Sequence, residues 1–480
     1  MTYFCRKVIC RRACGQARRG AGIQYRVERV KGLGVKFHSV MLDQDKCKGC
    51  TTCIKHCPTE AIRVRNGKAH IIAERCIDCG QCIRVCQNRA KKAVCDGFDV
   101  LENFQYTIAL PAPSLYGQFH NMEDVGYILS GLKRIGFDDV FEVASAAELI
   151  SDLTRKQLRE GRIEARPIIS SACPACVRLI KKRFPELVKN VIPQAAPVEL
   201  AAMMARRRAV ERTGLKPDEI GVFFISPCPA KVTSVHSPVG LSHPVMDGAL
   251  SMAEVYMKLL SPMSKIEEPE LSSTAGLIGV GWSTSGGEGA ALLNEHYLAV
   301  DGIENVIKVL EDIEDEKLTE VEFIEINACT QGCVGGCLTV ENPFVAKTRI
   351  RRLMKYLPVS RNKANIDWLD NAVVWEHELE YTPVWQLDRD VTAAFAKRQE
   401  ITKLASELPG LDCGSCGAPS CRALAEDIIL GFASEEDCIF RVRERMQYMA
   451  GGSDDYLPPP FRKNVKNKKH KESKSTHLEE

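Results

Sequence analysis

Cys47-Lys48-Gly49-Cys50-Thr51-Thr52-Cys53-Ile54-Lys55-His56-Cys57-Pro58 and Cys76-Ile77-Asp78-Cys79-Gly80-Gln81-Cys82-Ile83-Arg84-Val85-Cys86 share one spacing, C-x2-C-x2-C-x3-C. Three thiols in so tight a loop can cap three irons of one cubane, and the fourth, one helical turn on, reaches across to a second cubane. The expected ligand sets are therefore Cys47, Cys50, Cys53 and Cys86 for one [4Fe–4S] cluster, and Cys57, Cys76, Cys79 and Cys82 for the other. Zinc sites use two separated pairs of ligands, and disulfide frameworks belong to small secreted domains. Neither explains two runs of four.

Outward from this repeat, the chain has 480 residues, enough for about three domains. Its 45% apolar content is ordinary for globular cores. Most of the 22 cysteines sort into metal spacings, which points to a redox protein of the cytoplasm. No apolar run approaches the roughly 18 residues of a membrane helix, so no membrane span is expected. A net charge of +3 over the whole chain gives no footprint for nucleic acid, and none is expected as a partner. Residues 1–40 hold ten Lys or Arg against one acid, Glu28, without the apolar core of a signal peptide. They read as a disordered or extraneous segment, with Met41 as the natural start. Residues 451–480, with Pro458-Pro459-Pro460 and a Lys-dense stretch, read as a disordered tail.

Between these ends the pattern turns to α/β. Tyr106–Leu110 reads as a strand, Asn121 can cap a helix through Ile135, Val140–Val143 reads as a second strand, and Ser145 can start another helix. Such alternation favours a largely parallel sheet. Cys173 follows the apolar run Pro167-Ile168-Ile169, Cys228 follows Val222-Phe223-Phe224-Ile225, and Cys329 follows Val321–Ile326. Ligands of open α/β sheets gather beyond the carboxyl ends of strands, so these three loops are expected to converge. Cys333, in a turn with Gly332, Gly335 and Gly336, would add a fourth thiol, making a third metal site.

The segments Ser170-Ser171-Ala172-Cys173-Pro174-Ala175-Cys176, Pro227-Cys228-Pro229-Ala230-Lys231 and Ala328-Cys329-Thr330-Gln331-Gly332-Cys333-Val334-Gly335-Gly336 resemble, in order and spacing, the three signatures of the [FeFe]-hydrogenase catalytic domain. The resemblance runs from about Asp43 to Cys438. It implies that Cys173, Cys228, Cys329 and Cys333 hold a cubane, and that Cys333 bridges it to a two-iron centre carrying CO, cyanide and a dithiolate. Together these form the H-cluster, with reversible conversion of H2 to protons and electrons. By the same resemblance Lys231 donates a hydrogen bond to an iron-bound cyanide, as second-shell donors do elsewhere. The catalytic assignments are thus Lys231 and Cys333.

Some positions depart from the family pattern. Ala172 stands where fast members carry a proton-relaying Cys, Cys176 where they tend to have an aromatic, Ser234 where they have Glu, and Asn327 where they have Met. Cys176 and Cys337 are alternative relays or extra ligands, or simply free thiols. The losses point to the sensory or regulatory branch of the family. Leu408-Pro409-Gly410-Leu411-Asp412-Cys413-Gly414-Ser415-Cys416-Gly417-Ala418-Pro419-Ser420-Cys421, with Cys438 beyond, is similar to a small four-cysteine [4Fe–4S] domain and would serve as an electron exit.

The expected architecture is a disordered segment 1–40, an N-terminal α+β ferredoxin-like domain over 41–98, and an α/β hydrogenase-type domain over 99–385. A small, mostly helical C-terminal [4Fe–4S] domain over 395–450 and the tail 451–480 follow. The expected cofactors are two [4Fe–4S] clusters in the ferredoxin-like domain, an H-cluster or a plain [4Fe–4S] cluster, and one C-terminal [4Fe–4S] cluster. The expected function is H2 sensing or low-turnover hydrogenase chemistry with H2 and protons, a redox partner protein, and signalling output on another chain. A catalytic ferredoxin-linked hydrogenase subunit and a plain electron-transfer protein are the alternatives.

Overall fold

The computed structural model describes residues 37–120, 122–161, 164–363, 369–384, 387–388 and 390–449. The first module pairs β1 (Val40–Leu42) with β4 (Lys91–Ala93), and β2 (Ile62–Arg65) with β3 (Lys68–Ile71), both antiparallel. Between them lie α1 (Thr52–Lys55) and α2 (Gln81–Arg84), each one turn long. The hairpin β2–β3 turns at Asn66-Gly67, both at positive φ (51° and 70°), the backbone that a two-residue hairpin loop with right-handed strand twist requires.

A four-stranded parallel sheet follows, in the order β6 (Asp139–Val140), β5 (Tyr106–Pro111), β8 (Ile220–Ser226), β9 (Gly248–Ser251). Every residue of β8 is buried, as its unbroken apolar run requires of a central parallel strand covered on both faces. The covering helices are α3 (Gly126–Arg134), α4 (Val143–Glu160), α6 (Pro197–Thr213) and α8 (Met252–Met263). A second parallel sheet has the order β10 (Tyr297–Asp301), β11 (Phe323–Asn327), β7 (Ile168–Ile169). Helices α5 (Pro174–Arg183) and α11 (Ile303–Glu314) accompany it, α7 (Pro229–His236) packs against β8 and β9, and α9 (Leu277–Gly281), α10 (Gly287–Ala290), α12 (Pro343–Met354) and α13 (Leu369–Ala372) complete the domain. The last module is helical: α14 (Val391–Glu407), α15 (Cys421–Ile429) and α16 (Ile439–Met449). Among the described residues no helix is long and apolar enough to cross a membrane.

Several expected boundaries move. The segment placed at 1–40 contains ordered, buried chain: Ser39 and Val40 are 0% and 1% exposed. Ser39 Oγ donates to the Pro229 carbonyl (2.8 Å), and Val40 opens β1, so the first module starts by residue 37 and Met41 is not its edge. Residues 1–36 and 450–480 lie outside the described residues. Val140–Val143 is not one strand: β6 ends at Val140 and α4 already begins at Val143, ahead of Ser145. The helix expected from Asn121 starts at Gly126, and Asn121 lies outside the described residues. The last module begins before 395, because α14 starts at Val391, capped by the Asp390 side chain. The parallel sheet is two sheets, and the space between their carboxyl ends is where the thiols meet.

Candidate metal centres

Cys173 and Cys228 are placed by the same local device. Each ends a strand segment in extended backbone and stands at the N-cap of a helix, α5 or α7, whose first residue is proline. Proline presets helical φ and has no N–H to leave unpaired, so the chain turns from strand to helix just after the thiol. The positive end of the helix dipole then favours a thiolate there.

Cys329 and Cys333 come from the turn after β11. Gly332 has φ +81°, and a Cβ there would lie 2.6 Å from the Ser285 amide nitrogen. A Cβ on Gly336 would lie 2.1 Å from the Pro227 carbonyl oxygen, so this turn must be side-chain-free to close on the Cys228 loop. All four sulfurs stand in mutual electrostatic contact.

Burial raises the proton affinity of Cys228 and Cys329 and pushes Cys333 up to about 11. Cys173 goes the other way, to about 6, because the Cys176 thiol hydrogen-bonds to it. Burying several thiolates needs cations. Lys231, on α7, has its proton affinity lowered by burial but raised overall by Cys333, Cys228 and Cys173, and its Nζ donates to the Ala172 carbonyl (3.0 Å). Arg84, from α2 of the first module, hydrogen-bonds Cys329. Four soft donors with two flanking cations suit an iron-sulfur cluster.

Beside Cys333 lies a cavity lined by Ala172, Pro227, Lys231, Ser283, Glu288, Glu325, Asn327 and Cys333. This is room for a group attached through Cys333. Asn327 Nδ2 donates to Glu325 (2.7 Å), and Ser170 Oγ bonds both oxygens of Glu288 (2.8 and 2.7 Å). Cys176 and Cys337, considered as relays, do not line this cavity. Cys176 is fully buried behind Cys173, and Cys337 faces Gly80 and Cys329. Ser234 lies on a separate cavity, beyond Lys231.

Sequence reasoning missed Glu288 and Glu325. Burial and the charge of Glu325 raise Glu288 to about 8. Glu325 is raised by burial, opposed by the Gly289 and Gly286 amides. The signal was present: an acid between apolar neighbours in Phe323-Ile324-Glu325-Ile326 has no solvent-facing reason to sit in a central strand.

In the first module, Cys57, Cys76, Cys79 and Cys82 line one cavity with Ile62, Ile71 and Ile77. Cys47, Cys50 and Cys53 face one another, and Cys86 packs in the same core. Backbone amides point at several sulfurs: Ala61 to Cys57 (3.2 Å), Ala90 to Cys86 (3.2 Å) and Ala69 to Cys47 (3.4 Å). Such donors tune cluster potentials. Cys79 is also in electrostatic reach of Cys329, so the Cys57/Cys76/Cys79/Cys82 cavity neighbours the four-thiol site. In the last module Cys413, Cys416, Cys421 and Cys438 line one cavity. That module is fastened to β2: Arg63 Nε and Arg65 Nη2 both bond Asp427 Oδ2 at 2.7 Å, and the Val64 amide donates to the Gly417 carbonyl (2.8 Å).

Residues 105–293 and 290–337 match the family model "Iron only hydrogenase large subunit, C-terminal domain". Residues 39–87 match the 4Fe-4S dicluster domain, and 408–440 match an Fe-S cluster domain. The NADP-reducing hydrogenase subunit HndD of Solidesulfovibrio fructosivorans is 23% identical over 374 residues, covering 62% of this chain and 64% of that one. Iron hydrogenase 1 of Clostridium pasteurianum is 25% identical over 381 residues, covering 64% of this chain. The chain thus spans 64% and 66% of the lengths of these two relatives. An apo [FeFe]-hydrogenase structure from Chlamydomonas reinhardtii aligns with a TM-score of 0.43 at 16% identity, over 53% of this chain and 86% of that one. From the dicluster domain to the terminal cluster domain, these sequence matches support an iron-only hydrogenase-family protein.

Proposed function

We propose that the chain senses H2, or slowly interconverts it with protons and electrons, at Cys173, Cys228, Cys329 and Cys333. The observation that carries this is the meeting of four thiols from three strand ends beside a cavity that both Cys333 and Lys231 line. These residues fit the implied group: the four thiols would hold a cubane, Cys333 would share its sulfur with a two-iron centre, and Lys231 would donate a hydrogen bond to it. When bound, that centre supplies the cleavage and formation of H2. The protein's own part is to hold the sulfurs, supply positive charge at Lys231, and keep a proton at hand. Ala172 has no proton to pass, so the carboxyl of Glu288 is the proton-holding group on the cavity wall, hydrogen-bonded to Ser170. Electrons would leave through the Cys57/Cys76/Cys79/Cys82 cluster, then the Cys47/Cys50/Cys53/Cys86 cluster and the C-terminal one, to a separate redox protein in the cytoplasm. Any signalling output would lie on another chain.

The test is infrared spectroscopy of anaerobically matured protein, with CO and cyanide bands expected. Their absence under every redox condition would leave a plain electron-transfer protein. A catalytic hydrogenase subunit is the second reading, favoured by the Glu288–Glu325 pair on the cavity wall as a substitute for the missing thiol. Turnover equal to that of fast members of the family would establish it.

A further inference from the structure

A guanidinium that no ligand spacing marks interacts electrostatically with thiols of both the four-thiol site and the neighbouring cavity of the first module. Arg178 lies on α5, five residues after Cys173, and is mostly buried. Its Nη1 donates to the Ala230 carbonyl and its Nη2 to the Ser237 carbonyl, both at 3.2 Å, which fixes the head group across α7. Its charge is within electrostatic reach of Asp78 and Cys76 of the first module and of Cys228 and Cys173 of the four-thiol site.

The opposing wall is equally well fixed. Asp78 accepts from His38 Nδ1 (2.7 Å) and the Val40 amide (3.1 Å), and Ser39 ties the same segment to Pro229. Ile77 packs into one core with Ala175, Cys176 and Ala230. The loop carrying Cys76 and Cys79 is therefore part of the larger domain's packing, and Arg178 is locked in that seam.

We propose that Arg178 is a positioning residue for charge, a permanent cation held between two clusters that raises the reduction potential of both. An arginine keeps its proton at any working pH. Each four-thiolate cubane is anionic and gains a further negative charge on accepting an electron, so a fixed cation beside it favours the reduced form. In transfer across the seam one electron leaves one cluster and enters the other, with no proton moved. Arg178 then acts on both ends of the step, while Asp78 offsets it on the Cys76 side only.

The inference rests on both sites holding cubanes. Its test is an EPR-monitored redox titration of the full iron-loaded chain, with signals assigned by single ligand Cys→Ser variants. Arg178→Gln should shift the one-electron equilibrium at both flanking clusters about tenfold against reduction, equivalent to about 59 mV. The clusters of Cys47 and of Cys413 should stay put as internal references, and Arg178→Lys should retain most of the wild-type value. Asp78→Asn should move the Cys76 cluster the opposite way.

Intact clusters with unmoved potentials in Arg178→Gln would overturn the proposal, as would a Lys variant shifted as far as Gln, since that assigns the role to packing. If the Gln variant takes up no iron, Asp78→Asn decides: no upward shift there overturns the proposal. A wild type lacking any signal from the four-thiol site overturns the functional reading itself, an outcome distinct from all of these.

Discussion

Ala172 and Glu288 share one cavity wall, and the chemistry of each sets a measurable expectation. A methyl group cannot relay a proton, and positioned proton transfer typically contributes about 10²–10⁴-fold to a rate. Ala172→Cys should therefore raise H2 evolution measurably in matured protein, assayed with a reduced dye at equal occupancy of the two-iron centre. The gain should be partial, because Asn327 holds Glu325 where the family pattern has Met. No gain at all would mean that protons already travel efficiently through the carboxyls. Glu288 itself predicts a pH dependence. Burial and Glu325 raise it to about 8, above its value in the unfolded chain. An acid shifted upward stabilises the fold fully below its unfolded pKa and loses that contribution as pH rises through the folded one. The melting temperature of the cluster-loaded protein should fall as pH rises from about 5 to about 8 and level off above that, and Glu288→Gln should flatten that slope. The four thiols could be named from their places after apolar runs and in a Gly-rich turn, and Lys231 only through the family resemblance. Glu288 could not, since what makes it special is Glu325, a strand away.

At the scale of elements, strand ends were legible and partnerships were not. The Cys173 and Cys228 loops are expected beyond strand ends, and the structure adds that each thiol stands at the N-cap of a helix, α5 or α7. β5 and β8 could be read from their apolar runs. The burial of Ser39 and Val40 could not, because it comes from Thr233, Pro229 and Asp78, which the chain supplies from distant segments. The attachment of the last module is of the same kind. Asp427 on α15 is buried, and its carboxylate meets two guanidiniums of β2, with Arg63 also nearly sealed from solvent (6% exposed). Removing one partner of a buried pair strands the other charge and typically costs about 3–5 kcal/mol. Asp427→Ala should therefore release α14–α16 from β2, while the clusters of the first two modules stay loaded. Hydrogen exchange across 391–449 reads this directly; unchanged protection would show that the Val64–Gly417 backbone bond and apolar contacts suffice.

Across the described residues, the modules carry a series of candidate clusters, and two of the candidate ligand cysteines are exposed. Cys413 is exposed in the last module and Cys50 in the first, whereas the thiols of the central site are in closer surroundings. An electron bound for another protein leaves most readily where a cluster comes near solvent, so an exit is expected at one of these. The fastening of the last module to β2 puts Arg65 against the Cys416 carbonyl (2.8 Å) and Lys55, just before the Cys57 segment, against the Pro419 carbonyl (3.4 Å). Through this contact a C-terminal cluster would continue the ferredoxin-like pair and would screen part of that pair from partners. The exit should accordingly be the C-terminal cluster. Cys413→Ser with Cys416→Ser should lower the iron content by about four from about 18 per chain, or from about 16 if the central site is a plain cubane. H2 should still reduce the remaining clusters, seen by EPR, while electron delivery to a protein-sized acceptor slows severalfold and delivery to a small dye changes little. Equal rates to the large acceptor in wild type and double variant would move the exit to the cluster of Cys50 and leave the last module a structural or regulatory role.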